Sequence, residues 1–310
     1  MLLIRRPAAP VPGLADGCVA TIGAFDGLHV GHQRILDRVL EVAHERKLPS
    51  LIFSFEPTPK EYFAPQSPPA RLMRFRERYQ ALEEIGIDFF YCPHFEPALE
   101  ALEPDIFVDS LLVGLLHVRH LVVGDDFVFA RKRSGTIDDL SRKGAECGFG
   151  VEQVGSVIQQ DERVSSSAVR RALYAGDLEK ARRLLGRWYY MSGKVVLGQK
   201  LGRTLGMPTA NVKLNRKLSP VHGIYAVRVR GLNDDRLDGV ASVGTRPTID
   251  GVEPLLEVHI FDFDRDIYGA NIQVEFVAKL RDEVRFPDLE TLREQMFKDA
   301  EQAREVLAAA

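Results

Sequence analysis

The hydrophobic rhythm of this chain changes once, near residue 186, and that change limits the fold more than any other feature. Before it, apolar runs alternate with helix-spaced patterns. Cys18 to Phe25 suits a buried strand, and Ile35, Leu36, Val39, Leu40 and Ala43 then fall at helical spacing until Lys47 to Pro49 close the segment. Leu51 to Phe55, Asp88 to Cys92, His120 to Gly124 and Val151 to Val154 repeat the strand signal. Arg71 to Gly86, Asp105 to Leu116, Ile137 to Cys147, Ser167 to Tyr174 and Leu178 to Leu185 repeat the helical one. Pro57, Pro59, Pro65, Pro68 and Pro69 predict an extended loop, because the residue before a proline is pushed out of the helical region. Strand and helix in alternation predict an α/β unit, a parallel sheet covered on both faces, with ligands at the strand ends.

Past Arg187 the segments are short, rich in Val and Ile, and punctuated by Gly, Asn and Asp. Tyr189 to Leu197, Gly223 to Arg230, Gly239 to Val243, Leu255 to Phe261 and Asn271 to Leu280 predict an antiparallel barrel or sandwich. One helix, Leu289 to Leu307, finishes the chain. A length of 310 residues fits two such domains, and the expected division is 1–185 and 186–310. Internal repeats and low-complexity tracts are absent from the sequence.

Composition removes several classes of function. Lys plus Arg total 41 and Asp plus Glu 44, a formal net charge of −3 that argues against nucleic acid or an anionic membrane as the main partner. A small anionic ligand needs only a local positive pocket and stays open. The apolar run around Leu111 to Leu116 is cut by Asp109 and His117, far short of the roughly 18 residues of a membrane span. Met1 to Arg6 lacks the apolar region of a secretory signal, and Cys18, Cys92 and Cys147 form neither a disulfide framework nor a zinc pattern. The expectation is a cytoplasmic enzyme with a reduced thiol complement; homo-oligomerisation is left open.

Two stretches carry chemistry in the first half. Gly23-Ala24-Phe25-Asp26-Gly27-Leu28-His29-Val30-Gly31-His32 places His-x-Gly-His where a strand turns into a helix. Free N–H groups and the positive end of the helix dipole suit phosphate there. Two imidazoles three residues apart lie on one side of the first turn and can donate to phosphoryl oxygens. Gly23 and Gly31 allow close backbone approach. The same residues also fit a pair of surface histidines, whereas a metal pair lacks a third ligand. About 130 residues on, Val164-Ser165-Ser166-Ser167-Ala168-Val169-Arg170-Arg171 offers hydroxyls at a helix start and Arg170 one turn in, either an anion site or an ordinary cap.

The second half carries Gly198-Gln199-Lys200-Leu201-Gly202-Arg203-Thr204-Leu205-Gly206, then Pro208-Thr209-Ala210-Asn211. The glycine spacing matches neither a P-loop nor a dinucleotide fingerprint. Lys200, Arg203 and backbone N–H groups can still wrap phosphates, and Thr209 and Asn211 present neutral oxygens on one side of an extended segment, a partial shell for Mg²⁺. A barrel corner with turn glycines is the plainer account. Glu257, among the apolar neighbours of Leu255 to Phe261, fits either a general base of raised pKa or an outward-facing strand residue.

Together the two first-half motifs resemble the Rossmann-like nucleotidylyltransferases. Gly202-Arg203-x-Leu205-Gly206-Met207-Pro208-Thr209-Ala210-Asn211, Pro220-x-x-Gly223-Ile224-Tyr225-Ala226, Gly244-x-Arg246-Pro247-Thr248 and Glu257-x-His259 with Asp266-Ile267-Tyr268-Gly269 resemble riboflavin kinases. Phe55-Glu56-Pro57, Arg71-Leu72 with Glu77, and Gly124-Asp125-Asp126-Phe127 extend the likeness. Over nearly its full length the chain is similar to the prokaryotic bifunctional riboflavin kinase/FAD synthetase family.

That resemblance implies an N-terminal nucleotidylyltransferase domain and a C-terminal riboflavin kinase barrel. In the first, Gly23, Phe25, Asp26, His29, His32, Ser165, Ser166 and Arg170 would bind ATP, with Asp126 and Phe127 lining the flavin nucleotide site. In the second, Gly193, Lys200, Gly202, Arg203, Thr209 and Asn211 would bind ATP, with Thr209 and Asn211 holding Mg²⁺. Glu257 would deprotonate the ribityl 5′-hydroxyl of riboflavin, and Arg281 and Glu283 would belong to a segment that closes over the flavin. Riboflavin, FMN and ATP would be substrates and FAD the final product.

The kinase step moves a phosphoryl group to an alcohol and needs a base and a metal, whereas FMN phosphate is already anionic and needs positioning alone. The family usually has Arg at the position of Val128, Gly at Ala130, and His or Gln at Thr58; Met207 replaces an aromatic. The first three define an alternative, a riboflavin kinase with a weakened or inactive second half, although Arg131 and Arg133 can supply charge. A non-catalytic flavin-binding regulator would have no use for two triphosphate motifs and Glu257.

Overall fold

The computed structural model describes residues 1–6, 11–198, 201–232, 236–248 and 251–310. It divides into two compact units, one made of Met1–Pro69 and Phe75–Val164, the other of Ala70–Arg74 and Ser165–Ala310.

The first unit is built on strands β1 (Leu2–Ile4), β2 (Cys18–Ile22), β3 (Ser50–Phe53), β4 (Phe89–Tyr91), β5 (Val118–Gly124) and β6 (Gly150–Val154), in the spatial order β1-β4-β3-β2-β5-β6. Every pairing among them is parallel. Successive strand side chains point to opposite faces, and both faces are used. Cys18, Ala20, Ile22, Leu121 and Val123 pack with Phe107, Val108, Leu112 and Leu140 on one side. Val19 and Val122 meet Val39, Val42 and Ala43 of the helix Val30–Arg46 on the other. Double coverage is why these strands read as unbroken apolar runs rather than alternating ones.

Several expectations needed correction. The run Cys18 to Phe25 leaves the sheet after Ile22, because Phe25 turns to φ +48. The helix expected from Arg71 starts at Phe75, residues 70–74 belonging to the second unit. The proline-rich loop contains a short helix, Pro59–Phe63, closed by a capping box in which the Thr58 N–H donates to Glu61 Oε2 at 2.9 Å. Thr-Pro-x-Glu is a readable helix start that proline counting overrode. The segment expected as an ordinary helix up to Leu116 winds as a π-helix over Phe107–Leu115. It buries Phe107, Val108 and Leu112 against the sheet. β1, three residues long, carried too little periodicity to be read. Two further strands, β7 (Ile158–Gln159) and β8 (Glu162–Arg163), form a small antiparallel hairpin.

In the second unit the helices Ser166–Tyr174 and Leu178–Leu185 precede six strands. These are β9 (Tyr189–Val196), β10 (Ala210–Lys213), β11 (Gly223–Arg230), β12 (Leu237–Thr248), β13 (Gly251–Ile260) and β14 (Asn271–Arg281). They close into an antiparallel barrel in the order β10-β13-β12-β11-β14-β9, which decides between barrel and sandwich. β11 shows the two faces. Tyr225 packs edge-on against Phe276 inside, ring centroids 5.2 Å apart, while Ile224 and Ala226 meet Ala303 and Leu307 of the terminal helix Leu289–Ala309. The extended segment expected around Thr209 and Asn211 is β10, whose four residues follow the glycine-rich stretch.

Candidate active sites

The turn after β2 holds two bulky residues in left-handed backbone. Phe25 and Leu28 take φ values of +48 and +44, an outlying conformation for bulky side chains that persists only where the surroundings enforce it. The Gln33 amide donates to Leu28 O at 2.8 Å, and the buried Arg78 donates to Ala24 O at 2.6 Å. The turn delivers His29 to the N-cap of the helix Val30–Arg46, where its Nδ1 accepts the His32 backbone N–H at 3.2 Å. An accepting Nδ1 places the ring proton of His29 on Nε2.

The His29 and His32 rings stack with centroids 3.6 Å apart and planes at 17°, and Phe25 leans on His32 at 5.1 Å. A Cβ on Gly31 would sit 3.2 Å from the His29 ring, so the missing side chain makes room for the stack. Burial, then the His29 and Arg78 charges, hold the His32 pKa well below the usual imidazole value. Desolvation thus favours the neutral form of His32 beside the helix N-terminus. Asp26 is buried in the same turn, and Gly23 opens it with its N–H bonded to Phe53 O at 3.0 Å.

Asp126 and Phe127 follow β5. Arg163 bridges Asp125 and Asp126 at 3.1 and 2.9 Å, fastening this turn to the β7–β8 hairpin, and Phe127 stacks on Phe129 with planes at 10°. Ala130 has φ +62 and ψ −168, a region that is essentially glycine's alone. A second aromatic group that sequence reasoning passed over is Tyr62, Phe63 and Phe95, with Phe63 60% exposed. The signal was the Tyr-Phe pair inside the proline-rich stretch. Ser165, Ser166 and Arg170 lie in the second unit. Ser165 caps its helix by accepting the Ala168 N–H at 3.1 Å, and Arg170 Nε donates to Ala70 O at 2.6 Å.

On the barrel, strand register gathers the other candidates. Asn211 and Ser242 both lie directly opposite Glu257, so the three side chains share one face. Ser242 Oγ donates to Glu283 Oε1 at 3.4 Å, which brings that carboxylate to the same face. Burial first, and the Glu283 charge second, push the Glu257 carboxyl above its usual pKa. Thr209 immediately precedes β10, two residues before Asn211. A Cβ on Gly198 would collide with the Asn211 carboxamide, and one on Gly202 with Met207 O while crowding Thr209, so the glycine loop folds closely over both. Gly193 serves strand packing, since a Cβ there would strike Lys213 O. Arg203 is exposed, and Lys200 lies outside the described residues, as do the side chains of Arg246, Pro247 and Thr248.

The donor chemistry fits a magnesium ion. Thr209 and Asn211 offer hard neutral oxygens with Glu257 close by, and Mg²⁺ takes few protein ligands, filling its shell with water and phosphate oxygens. Among the described residues there is no cluster of three or more His, Cys, Asp or Glu placed to hold a metal ion.

Arg281 is held by a partner the sequence did not advertise. Its Nε and Nη2 grip the buried Asp299 carboxylate at 2.9 and 2.7 Å, and Nη1 donates to Asp282 O at 2.9 Å. Gln295 also donates to Asp299, and Arg293 on the same helix donates to Leu205 O at 3.2 Å. The terminal helix thus supports the glycine loop and the Arg281–Glu283 segment together.

An imidazole pair at a helix N-terminus in one unit, and a desolvated carboxylate among neutral oxygens in the other, suit the class of group-transfer enzymes. Comparison with known proteins narrows the class. A family model described as FAD synthetase matches residues 12–168, and one described as riboflavin kinase matches residues 185–307. The chain is 44% identical over 289 residues to the bifunctional riboflavin kinase/FMN adenylyltransferase of Haemophilus influenzae, covering 93% of this chain and 94% of that one. With the protein of the same name from Escherichia coli K12 it is 46% identical over 290 residues, covering 94% and 93%. A crystal structure described as a macrolide-efflux protein from Streptococcus pneumoniae superposes with a TM-score of 0.83 at 29% identity, over 98% of this chain and 99% of that one. Among the described residues no helix is long and apolar enough to cross a membrane. The chain belongs to the bifunctional riboflavin kinase/FMN adenylyltransferase family.

Proposed function

We propose that this chain phosphorylates riboflavin to FMN with ATP at the barrel, and transfers AMP from a second ATP to FMN, giving FAD and pyrophosphate, through the unit that carries His29 and His32. The observation that carries this reading is the desolvated Glu257 opposite Asn211. A neutral alcohol needs a base before it can attack phosphorus, and a carboxylate of raised pKa is matched to that task. In our reading Glu257 takes the proton of the ribityl 5′-hydroxyl. Thr209 and Asn211 hold Mg²⁺ with the ATP phosphates, which neutralises charge on the transferring group. Gly193, Lys200, Gly202 and Arg203 line the nucleotide, and Arg281 and Glu283 belong to the flavin side.

For adenylyl transfer the nucleophile is the FMN phosphate, anionic at neutral pH, so no base is required. His29 and His32 donate to the triphosphate as charge builds on it, with Gly23, Phe25, Asp26, Ser165, Ser166 and Arg170 completing the ATP site and Asp126 and Phe127 the flavin nucleotide site. We assign 1–185 to adenylyl transfer and 186–310 to the kinase, in a cytoplasmic setting with neither nucleic acid nor membrane as partner, homo-oligomerisation being compatible with both.

The test is incubation of the full chain with riboflavin, ATP and Mg²⁺, flavins being separated over time, beside a reaction started from FMN. FMN that rises and gives way to FAD supports both assignments. FMN that accumulates from riboflavin, with no FAD from either start, would overturn the second.

A further inference from the structure

The helix Phe75–Ile85 faces its sheet with Phe75, Arg78, Tyr79 and Leu82, the spacing of an apolar stripe. Arg78 stands in that stripe only 3% exposed, beside the Phe75 and Phe90 rings at 5.8 and 5.5 Å. Burying a guanidinium is costly, and a leucine would complete the stripe without that cost. The charge must therefore do something apolar packing cannot. Its Nη1 donates to Ala24 O at 2.6 Å, and Nη2 lies 3.4 Å from Glu56 Oε2. Ala24 precedes Phe25, whose φ of +48 needs enforcement, and the Phe25 ring rests on His32, which stacks on His29.

We propose that Arg78 is a positioning residue for adenylyl transfer: by clamping the Ala24 carbonyl it fixes the strained Phe25 turn, and through the Phe25 ring it sets His32 against the triphosphate. This rests on the reading of the histidine pair as the ATP site. The guanidinium also places a positive charge near His32, which favours the neutral, hydrogen-bond-donating ring. Arg78 touches no reacting atom, so its effect falls on turnover rather than on affinity. A displacement of about 1 Å at such a relay costs up to a hundredfold in rate.

The test compares Arg78→Met, Arg78→Lys and His32→Ala in the full chain, measuring FAD formation from FMN, FMN formation from riboflavin, and Tm. Arg78→Met, which restores an apolar stripe, is expected to lower kcat for FAD formation about tenfold or more. KM for FMN should stay within about twofold, and FMN formation should be unchanged. Arg78→Lys, with one donor group instead of a fork, should recover part of the loss. Wild-type kcat in Arg78→Met, with His32→Ala impaired, would overturn the inference and leave the site intact. Wild-type kcat in both would overturn the site itself. If Arg78→Met does not fold, Arg78→Lys decides: a several-fold loss at unchanged Tm supports the role, and a wild-type kcat removes it.

Discussion

His259 Nδ1 lies 2.8 Å from the carbonyl oxygen of Pro208. A carbonyl only accepts, so Nδ1 carries the proton. The bond ties β13, two residues beyond Glu257, to the residue before Thr209, and so fixes the distance between the candidate base and the candidate oxygen ligands. His259→Phe keeps a ring beside Phe261 but removes the donor, forfeiting about 1 kcal/mol of hydrogen bonding. We expect FMN formation to slow about tenfold while FAD formation from FMN is unchanged, measured as kcat for each reaction in one preparation. Equal FMN formation in variant and wild type would mean that strand register alone places Thr209.

Glu257→Gln retains the shape and removes the base. FMN formation should fall by about a hundredfold or more, while FMN is still converted to FAD. Loss of both activities would sink the two-site reading.

The same carboxylate sets a pH dependence. A base works deprotonated, and burial together with Glu283 raises the Glu257 pKa, so kinase activity should decline on the acid side at a higher pH than an ordinary glutamate would impose. Glu283→Gln removes a like charge, lowers the Glu257 pKa, and should move that acid limb to lower pH. A limb that stays put, or moves up, in kcat against pH would separate the two residues.

Ala130 offers a cleaner test of strain. Its φ of +62 with ψ near −168 costs an alanine about 1–3 kcal/mol that glycine does not incur. Ala130→Gly should raise the Tm of the first unit by roughly 2–4 °C for each kcal/mol relieved, less the extra entropy of the unfolded glycine. A lower Tm in thermal unfolding would show that the loop prefers the alanine. FMN titration of the same variant would read any retuning of the site beside Phe127.

How far the sequence revealed these features depended on whether the signal was local. Both strand runs and helix spacings were legible because double coverage and apolar stripes are periodic, and His29, His32, Thr209, Asn211 and Glu257 were singled out by motif spacing and by the family resemblance. Arg78 was hidden by the stripe it occupies: an arginine at an apolar spacing looks like a helix face until its buried partner, Ala24 O, is seen. Asp299 was equally silent, since its grip on Arg281 joins the terminal helix to β14 across 18 residues. The meeting of Ser242, Glu257 and Glu283 depends on register, which no single strand encodes. The helix at Pro59 was legible and was misread, proline being weighed without its capping box.

Two histidines of the first unit, His32 and His120, should make its stability fall in acid. Burial lowers the pKa of His32, assisted by His29 and Arg78. It also lowers that of His120, assisted by Arg46, against the opposing hydrogen bond that the ring donates to Glu152 at 3.3 Å. In each case the unfolded chain takes up a proton near the ordinary histidine pKa, about 6.5, while the folded chain does not. Stability is therefore complete above that value and is lost progressively as pH falls below it, until the depressed folded pKa is reached. The Tm of the transition that melts the parallel sheet should drop between pH 7.5 and 5.5. His32→Gln and His120→Gln should each flatten that slope, whatever they do to stability at pH 7.5. A slope identical to wild type in both variants would show that these two histidines do not set the acid sensitivity of the first unit.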